Sequence, residues 1–437
     1  MDSLVHLVAL VLAAAAALGV LVAWSQVAVL WRHLRRPIRA PGHRPAISIL
    51  KPLCGLDDRL AGNLLSFANL PYPEYEVVLG LRAASDPAYP LAWLAARRWP
   101  HRFRIALQGR EVGLNPKVNQ LCTLAREARH DVIVVSDSNT RVAPDYLDDI
   151  AAQLEDPTVG LVTHPLAGDG ETEADAHLGA TADNLHLTGV ITPGVVAAKL
   201  IAGKDYVIGK SMALRRADLR ALGGFESVKD VLAEDYVLGR AVADRLGKRV
   251  ALGRSVVRCV SVRRELGGFA WRYARWNVMQ RQCAGLFAYL GLLLENPTLL
   301  ATAAAVVEPG VATVALLAGC AASRMATDAL AGRLLRGRRG FRLLALLAGG
   351  IKDLLSGGAW IYGLVSRSIE WRSNRLVVLS GSRLRIASSA GGRPPVAPRR
   401  RRGVRLLLRD SSGTPALRAG AARAHRGGRR DPLRVPH

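Results

Sequence analysis

Asp131-Val-Ile-Val-Val-Ser-Asp-Ser-Asn139 is the stretch on which the fold turns. Val132–Ser136 is a β-branched run with no alternation, as expected for a strand covered on both faces. It stops at Asp137-Ser138-Asn139, three residues suited to a turn. Runs of the same kind come earlier, at Ala46–Leu50, Tyr75–Leu81 and Phe103–Leu107. Between them, Asp58–Leu70, Tyr89–Trp99 and Pro116–Ala128 have helical character. Strand–helix alternation predicts an α/β domain with a mainly parallel sheet over residues 44–282. Ligands of such sheets bind beyond the carboxyl ends of the strands. The loops starting at Arg82 and Asp137 are therefore where chemistry is expected.

On either side of this domain the chain becomes apolar. Leu4 to Leu30 is interrupted mainly by His6, Ser25 and Gln26, and a bilayer needs about 20 apolar residues. It ends in Trp31-Arg-His-Leu-Arg-Arg36, an aromatic anchor followed by a basic cluster. That order predicts a retained transmembrane anchor over residues 1–31, with the following domain facing the cytoplasm. A cleaved signal peptide would carry its positive charge ahead of the apolar run. Residues 284–375 form a second expected membrane region, with two or three spanning or re-entrant helices. Glu308-Pro309 and Lys352-Asp353 interrupt its apolar segments.

Half of the 437 residues are hydrophobic, yet Lys plus Arg number 60 against 35 Asp plus Glu. That combination suits a membrane protein with basic flanks rather than a nucleic-acid binder. The tail over residues 387–437 is Arg-rich, cannot build a core, and is expected to be disordered. Five scattered cysteines, with no CxxC pair, indicate neither a disulfide framework nor a zinc site.

Several polar groups fall where chemistry is expected. Asp86, past the second strand, could accept hydrogen bonds from a nucleoside base or ribose, or could simply start an Asp-Pro turn. Asn115-Pro116-Lys117 leads into a helix whose exposed amides and lysine would suit an anion. Asp137 and Asn139 could present oxygens to a hard divalent cation shared with a diphosphate, or could form an Asx turn. In Val231-Leu-Ala-Glu-Asp-Tyr236, Asp235 could take a proton from an acceptor hydroxyl. Arg272 and Arg275 share a helix face beside Trp276, as guanidiniums for a diphosphate or as a juxtamembrane belt.

The order Asp, Asp-Ser-Asn, Glu-Asp and Arg-x-x-Arg-Trp before a membrane region resembles the D, D, D, (Q/R)xxRW series of processive-type inverting glycosyltransferases. Further segments narrow the resemblance. Ile47-Ser-Ile-Leu-Lys-Pro-Leu53 with Gly55, Asn115-Pro-Lys117, Val159-Gly-Leu-Val162, Ala233-Glu-Asp-Tyr236 and Ser368-Ile-Glu-Trp-Arg372 are similar to the ceramide glucosyltransferases, glycosyltransferase family 21. Hopanoid-directed N-acetylglucosaminyl transferases share the motif order, and polysaccharide synthases belong to the same superfamily.

The resemblance implies a GT-A fold and an inverting hexosyl transfer from a UDP-sugar, UDP-glucose foremost, to a membrane lipid such as ceramide. By that resemblance Asp235 is the base. Asp86, Lys117, Asp137, Arg272, Arg275 and Trp276 hold the nucleotide-sugar, and Asp137 with Asn139 holds Mg2+ or Mn2+. Two departures stand out. Ala83-Ala84-Ser85 precedes Asp86 where animal members are more acidic, and Thr192 precedes Pro193 where they tend to carry His.

Overall fold

The structure, a computed structural model, describes residues 2–337, 340–371 and 374–387. The expected Arg-rich tail lies outside the described residues. Helix α1 (Asp2–Leu34) leads into strand β1 (Ile47–Pro52), and then α2 (Leu60–Ala68), β2 (Tyr75–Leu81), α3 (Tyr89–Arg98) and β3 (Phe103–Leu107). α4 (Pro116–Glu127), β4 (Val132–Ser136), a short β5 (Thr140–Arg141), α5 (Tyr146–Leu154), β6 (Val159–Thr163) and β7 (Leu166–Asp169) follow. α6 (Leu178–His186) passes through one π-helical turn into α7 (Thr192–Leu200). The remaining domain elements are β8 (Ser211–Arg215), α8 (Arg216–Ala221), α9 (Glu234–Leu246), β9 (Arg249–Leu252), β10 (Val257–Val260) and α10 (Leu266–Ala284).

The central sheet has seven strands in the order β3-β2-β1-β4-β8-β6-β9. β3, β2, β1 and β4 run parallel, and β8 is antiparallel to both of its neighbours. All five residues of β4 and all seven of β2 are buried, which is why their sequences show no polar alternation. One face packs Ile47, Ile49, Val77, Leu79 and Val134 against α2, α3 and α5. The other packs Leu50, Val78, Ile133 and Val135 against α4 and α9. Each such side chain removed from water contributes about 1.5–3 kcal/mol. A second sheet, β5-β10-β7, extends the carboxyl edge at the Asp137 turn.

Among the described residues three helices are long and apolar enough to cross a membrane: Ser3–Leu34, Val311–Arg336 (α13) and Leu343–Val365, the last built from α14 (Leu343–Leu347) and α15 (Gly349–Val365). A fourth apolar segment is broken. Leu286–Glu295, containing α11 (Leu286–Gly291), meets α12 (Pro297–Val307) at 87°. α1 packs small residues, Ala16 and Ala23 among them, towards its neighbours and exposes Leu4, Leu7 and Val11. Small interfacial side chains let membrane helices approach closely. Glu308-Pro309 lies in the turn between α12 and α13, so no span contains it. Lys352 does lie within a helix, fully buried, and its ammonium meets Asp328 at 2.6 Å and Asp353 at 3.3 Å.

Beyond Val365 the chain departs from the membrane region expected to residue 375. Strands β11 (Ser368–Trp371), β12 (Asn374–Val378) and β13 (Leu384–Ile386) form an antiparallel sheet. Ile369, Leu376, Val378 and Leu384 pack on Leu232 and on Val278 of α10.

Candidate active site

A cleft of about 740 Å³ opens beyond the carboxyl ends of β1 and β4. The Asp137 turn on its floor is fastened from below by Lys51, which the strand pattern alone did not single out. The buried Lys51 ammonium donates to the Asp137 carbonyl at 2.7 Å and to Thr140 Oγ1 at 3.1 Å. Burial lowers its pKa to about 7, against the pull of the Asp137 charge.

Asp137 itself faces the cleft and meets two further ammonium groups. Lys117 Nζ lies 3.0 Å from Oδ1 and Lys210 Nζ lies 3.1 Å from Oδ2. Burial would raise the Asp137 pKa, but these two lysines outweigh it and hold the carboxyl well below its usual range. Lys210 also donates to Asn139 Oδ1 at 2.8 Å. A single cation thus bridges the two oxygens expected to hold a metal. That donor pair fits a hard divalent ion, since the ammonium already stands where such an ion would sit. Among the described residues no cluster of three or more His, Cys, Asp or Glu side chains could hold a metal by itself. Remaining ligands would have to come from the donor and solvent.

Lys117 begins α4, where Asn115 caps the helix by accepting the Lys117 and Val118 N–H groups. Its ammonium reaches across to Glu234 Oε1 at 3.0 Å and to the Gly209 carbonyl at 2.9 Å. Burial opposes the charge, yet Asp137, Glu234 and Asp235 together raise the Lys117 pKa. Glu234 is completed by the Asn115 amide, which donates to Oε2 at 3.2 Å. Of the two adjacent acids, Glu234 is therefore tied into the wall.

Among the described residues Asp235 is hydrogen-bonded by backbone groups. Gly209 N–H donates to Oδ2 at 2.7 Å and Tyr236 N–H donates to Oδ1 at 2.8 Å. A Cβ at position 209 would come within 2.6 Å of Oδ2, so only glycine allows this approach. Burial and the neighbouring Glu234 charge push the Asp235 pKa up to about 6, with Lys117 and the two amides opposing. A carboxyl poised there can take a proton near neutral pH.

Asp235 lines a cleft of mixed character. The cleft is lined both by Asp57, Lys117, Asp137, Asn139 and Lys210 and by apolar side chains, among them Val195, Ala198, Met279, Ala288 and Leu292. The Cys283 thiol, which lines the same cleft, is raised to about 11 by burial, and the Asp235 charge adds to the shift.

Arg272, Arg275 and Trp276 line the same cleft from α10. Arg272 donates to Asp183 Oδ2 at 2.9 Å, and Arg264 reaches the same oxygen at 3.1 Å. Its guanidinium also stacks 4.9 Å from the Trp276 ring, while Arg275 lies over Trp371 at 5.8 Å. Asp86 stands apart from the cleft wall. Its Oδ1 accepts the Gly55 and Ala88 N–H groups, each at 2.9 Å, and so ties the loop after β1 to the start of α3.

The carboxyl-terminal sheet closes the site from behind. Leu232 N–H donates to the Ser382 carbonyl at 2.8 Å and Ala233 N–H donates to Ser382 Oγ at 2.9 Å. Leu384 N–H donates to the Asp230 carbonyl at 2.7 Å, and Val231 bridges Arg383. The loop that delivers Glu234 and Asp235 is thus an added edge of a sheet about 150 residues later in the chain. Lys210, Asp57, Asp183 and Ser382 escaped the sequence reading. For Lys210 the one usable signal was the short run Gly209-Lys210-Ser211 ahead of β8.

A mainly parallel sheet with one antiparallel member, an acidic turn beyond its carboxyl edge and a carboxylate facing it define a glycosyltransferase of the GT-A type. Residues 10–384 match the family described as glycosyl transferase family 21, and the chain belongs to that family. It is 27% identical over 250 residues to ceramide glucosyltransferase 3 of Caenorhabditis elegans, covering 56% of this chain and 52% of that one. It is 28% identical over 113 residues to the ceramide glucosyltransferase of Komagataella phaffii, covering 25% and 22%. The chain therefore spans about half the length, or less, of these curated relatives. Among solved structures it is similar to a mannosyltransferase from Pyrobaculum calidifontis in complex with GDP-Man and Mn2+. That match has 21% identity and a TM-score of 0.49, and covers 80% of this chain and 99% of that one.

Proposed function

We propose that this chain moves a hexose, glucose foremost, from a UDP-sugar to the hydroxyl of a membrane lipid, ceramide foremost, with inversion. The observation that carries the reading is the mixed lining of the cleft. Its lysines and arginines suit a diphosphate, its apolar side chains suit an acyl-bearing acceptor, and Asp235 lines the same space.

In the proposed reaction the Asp235 carboxylate takes the proton of the lipid hydroxyl. The freed oxygen pair bonds to the anomeric carbon as the bond from that carbon to the β-phosphate oxygen breaks. UDP leaves with the bonding electrons, and the anomeric configuration inverts. Lys117, Lys210 and the α10 arginines face the charge that grows on the leaving diphosphate. Asp137 and Asn139 would hold a divalent ion, which would supply further neutralisation of that diphosphate. Trp31 and the basic residues up to Arg36 favour a cytoplasmic catalytic domain.

The test is direct. Membranes carrying the full chain receive labelled UDP-glucose or UDP-N-acetylglucosamine with ceramide or a polyol hopanoid, and lipid products are identified by mass. Glucosylceramide is the expected product. Label entering only the hopanoid would overturn ceramide as acceptor.

A further inference from the structure

A second, small chamber of about 60 Å³ adjoins the cleft. The two share Val190, Ile191, Trp276, Gln280, Leu292 and Glu295 as walls. Two of these are polar, and neither is used in the reaction described above. Gln280 lies one helical turn beyond Trp276, so residues of one α10 face line both spaces. Its carboxamide has no protein hydrogen-bond partner among the described residues, although it offers two donors and an acceptor.

Glu295 lies at the elbow where the apolar segment bends by 87° into α12. Irregular backbone at membrane depth is tolerated where it borders a cavity or is buried in protein. Its neighbour Asn296 is fully engaged there: Oδ1 accepts the Leu299 N–H and Nδ2 donates to the Asp353 carbonyl. Glu295 instead turns to the cavity, steadied by Gln26 of α1. A Cβ on Gly194 would come within 3.1 Å of Glu295 Oε1, and Gly194 also lines the large cleft. Several other polar groups around the small chamber are paired within the protein. Ser356 meets His186, the Asn277 amide donates to the Tyr273 carbonyl, and the Trp360 indole donates to the Tyr289 carbonyl.

We propose that Gln280 and Glu295 form a recognition pair for a second polar group on the acceptor, one that carries both a donor and an acceptor. A secondary amide next to the reacting hydroxyl meets this requirement: its N–H donates to the Glu295 carboxylate and its carbonyl accepts from Gln280. The chamber has room for about two waters, and so for one such group, while the acyl chains remain in the apolar part of the cleft. An ester-linked lipid lacks the N–H and leaves the carboxylate without its partner, which disfavours it. The pair would thus set which class of lipid is glycosylated. This inference rests on the lipid-acceptor reading given above.

The experiment compares a ceramide with a diacylglycerol of matched chain length, using the full chain in bilayers. Transfer, sugar release to water and UDP affinity are all measured. The amide acceptor is expected to be preferred by roughly 10- to 100-fold in kcat/KM. In Gln280→Leu and Glu295→Leu that preference is expected to collapse through the KM for ceramide, with UDP affinity intact as the check on folding. Gln280→Asn and Glu295→Gln are expected to recover part of it. Equal transfer to both lipids by the unaltered protein, or full preference in both Leu variants, would overturn the recognition pair alone. Sugar release to water with transfer to neither lipid would overturn the lipid-acceptor reading, and the pair with it.

Discussion

The Lys117 ammonium lies 3.0 Å from the Asp137 carboxylate and 3.0 Å from that of Glu234. One cation thereby joins the turn after β4 to the loop that presents Asp235, although nearly a hundred residues separate the two. Donor-side charge and proton acceptor are electrically one unit, and the first three predictions follow from that coupling.

Asp235→Asn keeps the size of the side chain but removes its basicity. Transfer is expected to fall by roughly 10²- to 10⁴-fold, the usual contribution of a positioned base. UDP-sugar affinity is expected to stay close to that of the unaltered chain by calorimetry. Near-normal turnover in this variant would remove Asp235 from the role.

The pH profile follows from the same group. Burial and Glu234 raise its pKa to about 6. A base works only in its deprotonated form, so kcat/KM is expected to rise about tenfold per pH unit below 6 and to level off above it. A profile flat down to pH 4.5 would contradict this.

Lys117→Met leaves Glu234 facing Asp235 with no intervening cation. Because Lys117 lowers the Asp235 pKa, the acid limb of the profile is expected to move to higher pH. Breaking a largely buried ion pair also costs about 3 kcal/mol of stability, readable as a lowered Tm.

Ser382 touches no reacting atom, yet it fixes the loop before Asp235. Ser382→Ala removes the hydroxyl that accepts the Ala233 N–H. A decrease of about tenfold in kcat is expected, with the donor KM unchanged and a loss of only about 1 kcal/mol in stability. A purely structural role would lower the amount of active protein without changing kcat per folded molecule.

Removal of divalent ions tests the Asp137–Asn139 pair. Chelation is expected to lower turnover by about 100-fold or more, as several kcal/mol of charge stabilisation is withdrawn. In Asp137→Ala, residual turnover is expected to ignore added Mn2+. Full metal stimulation in that variant would place the ion elsewhere.

Much of the fold was legible because its strands are covered on both sides. Ile47–Leu50 and Val132–Ser136 are continuous apolar or small runs for that reason, and Tyr75–Leu81 departs from one at Glu76, which pairs with Arg104. β8 was not legible: it is a short antiparallel insert that ends in a charged Arg215. With it went Lys210, which sits one residue ahead of the strand. The Asp137 turn could be read because turn chemistry and strand end coincide. Asp86 had the same local signature but meets backbone amides instead of the cleft, since the loop after β1 folds back over it. Pairings such as Arg272 with Asp183, or Ala233 with Ser382, join residues about 90 and 150 apart, and no local pattern encodes them.

The strap formed by residues 382–384 behind the catalytic loop has a consequence for biogenesis. Among the described residues it follows the last helix long and apolar enough to cross a membrane, so a growing chain acquires Asp235 long before the segment that seats it. The loop that carries Glu234 and Asp235 is therefore seated only once residues 382–384 have been made, after the described membrane helices. A product that stops short of residue 382 would carry Glu234 and Asp235 in an unseated loop, without the edge that holds them in place.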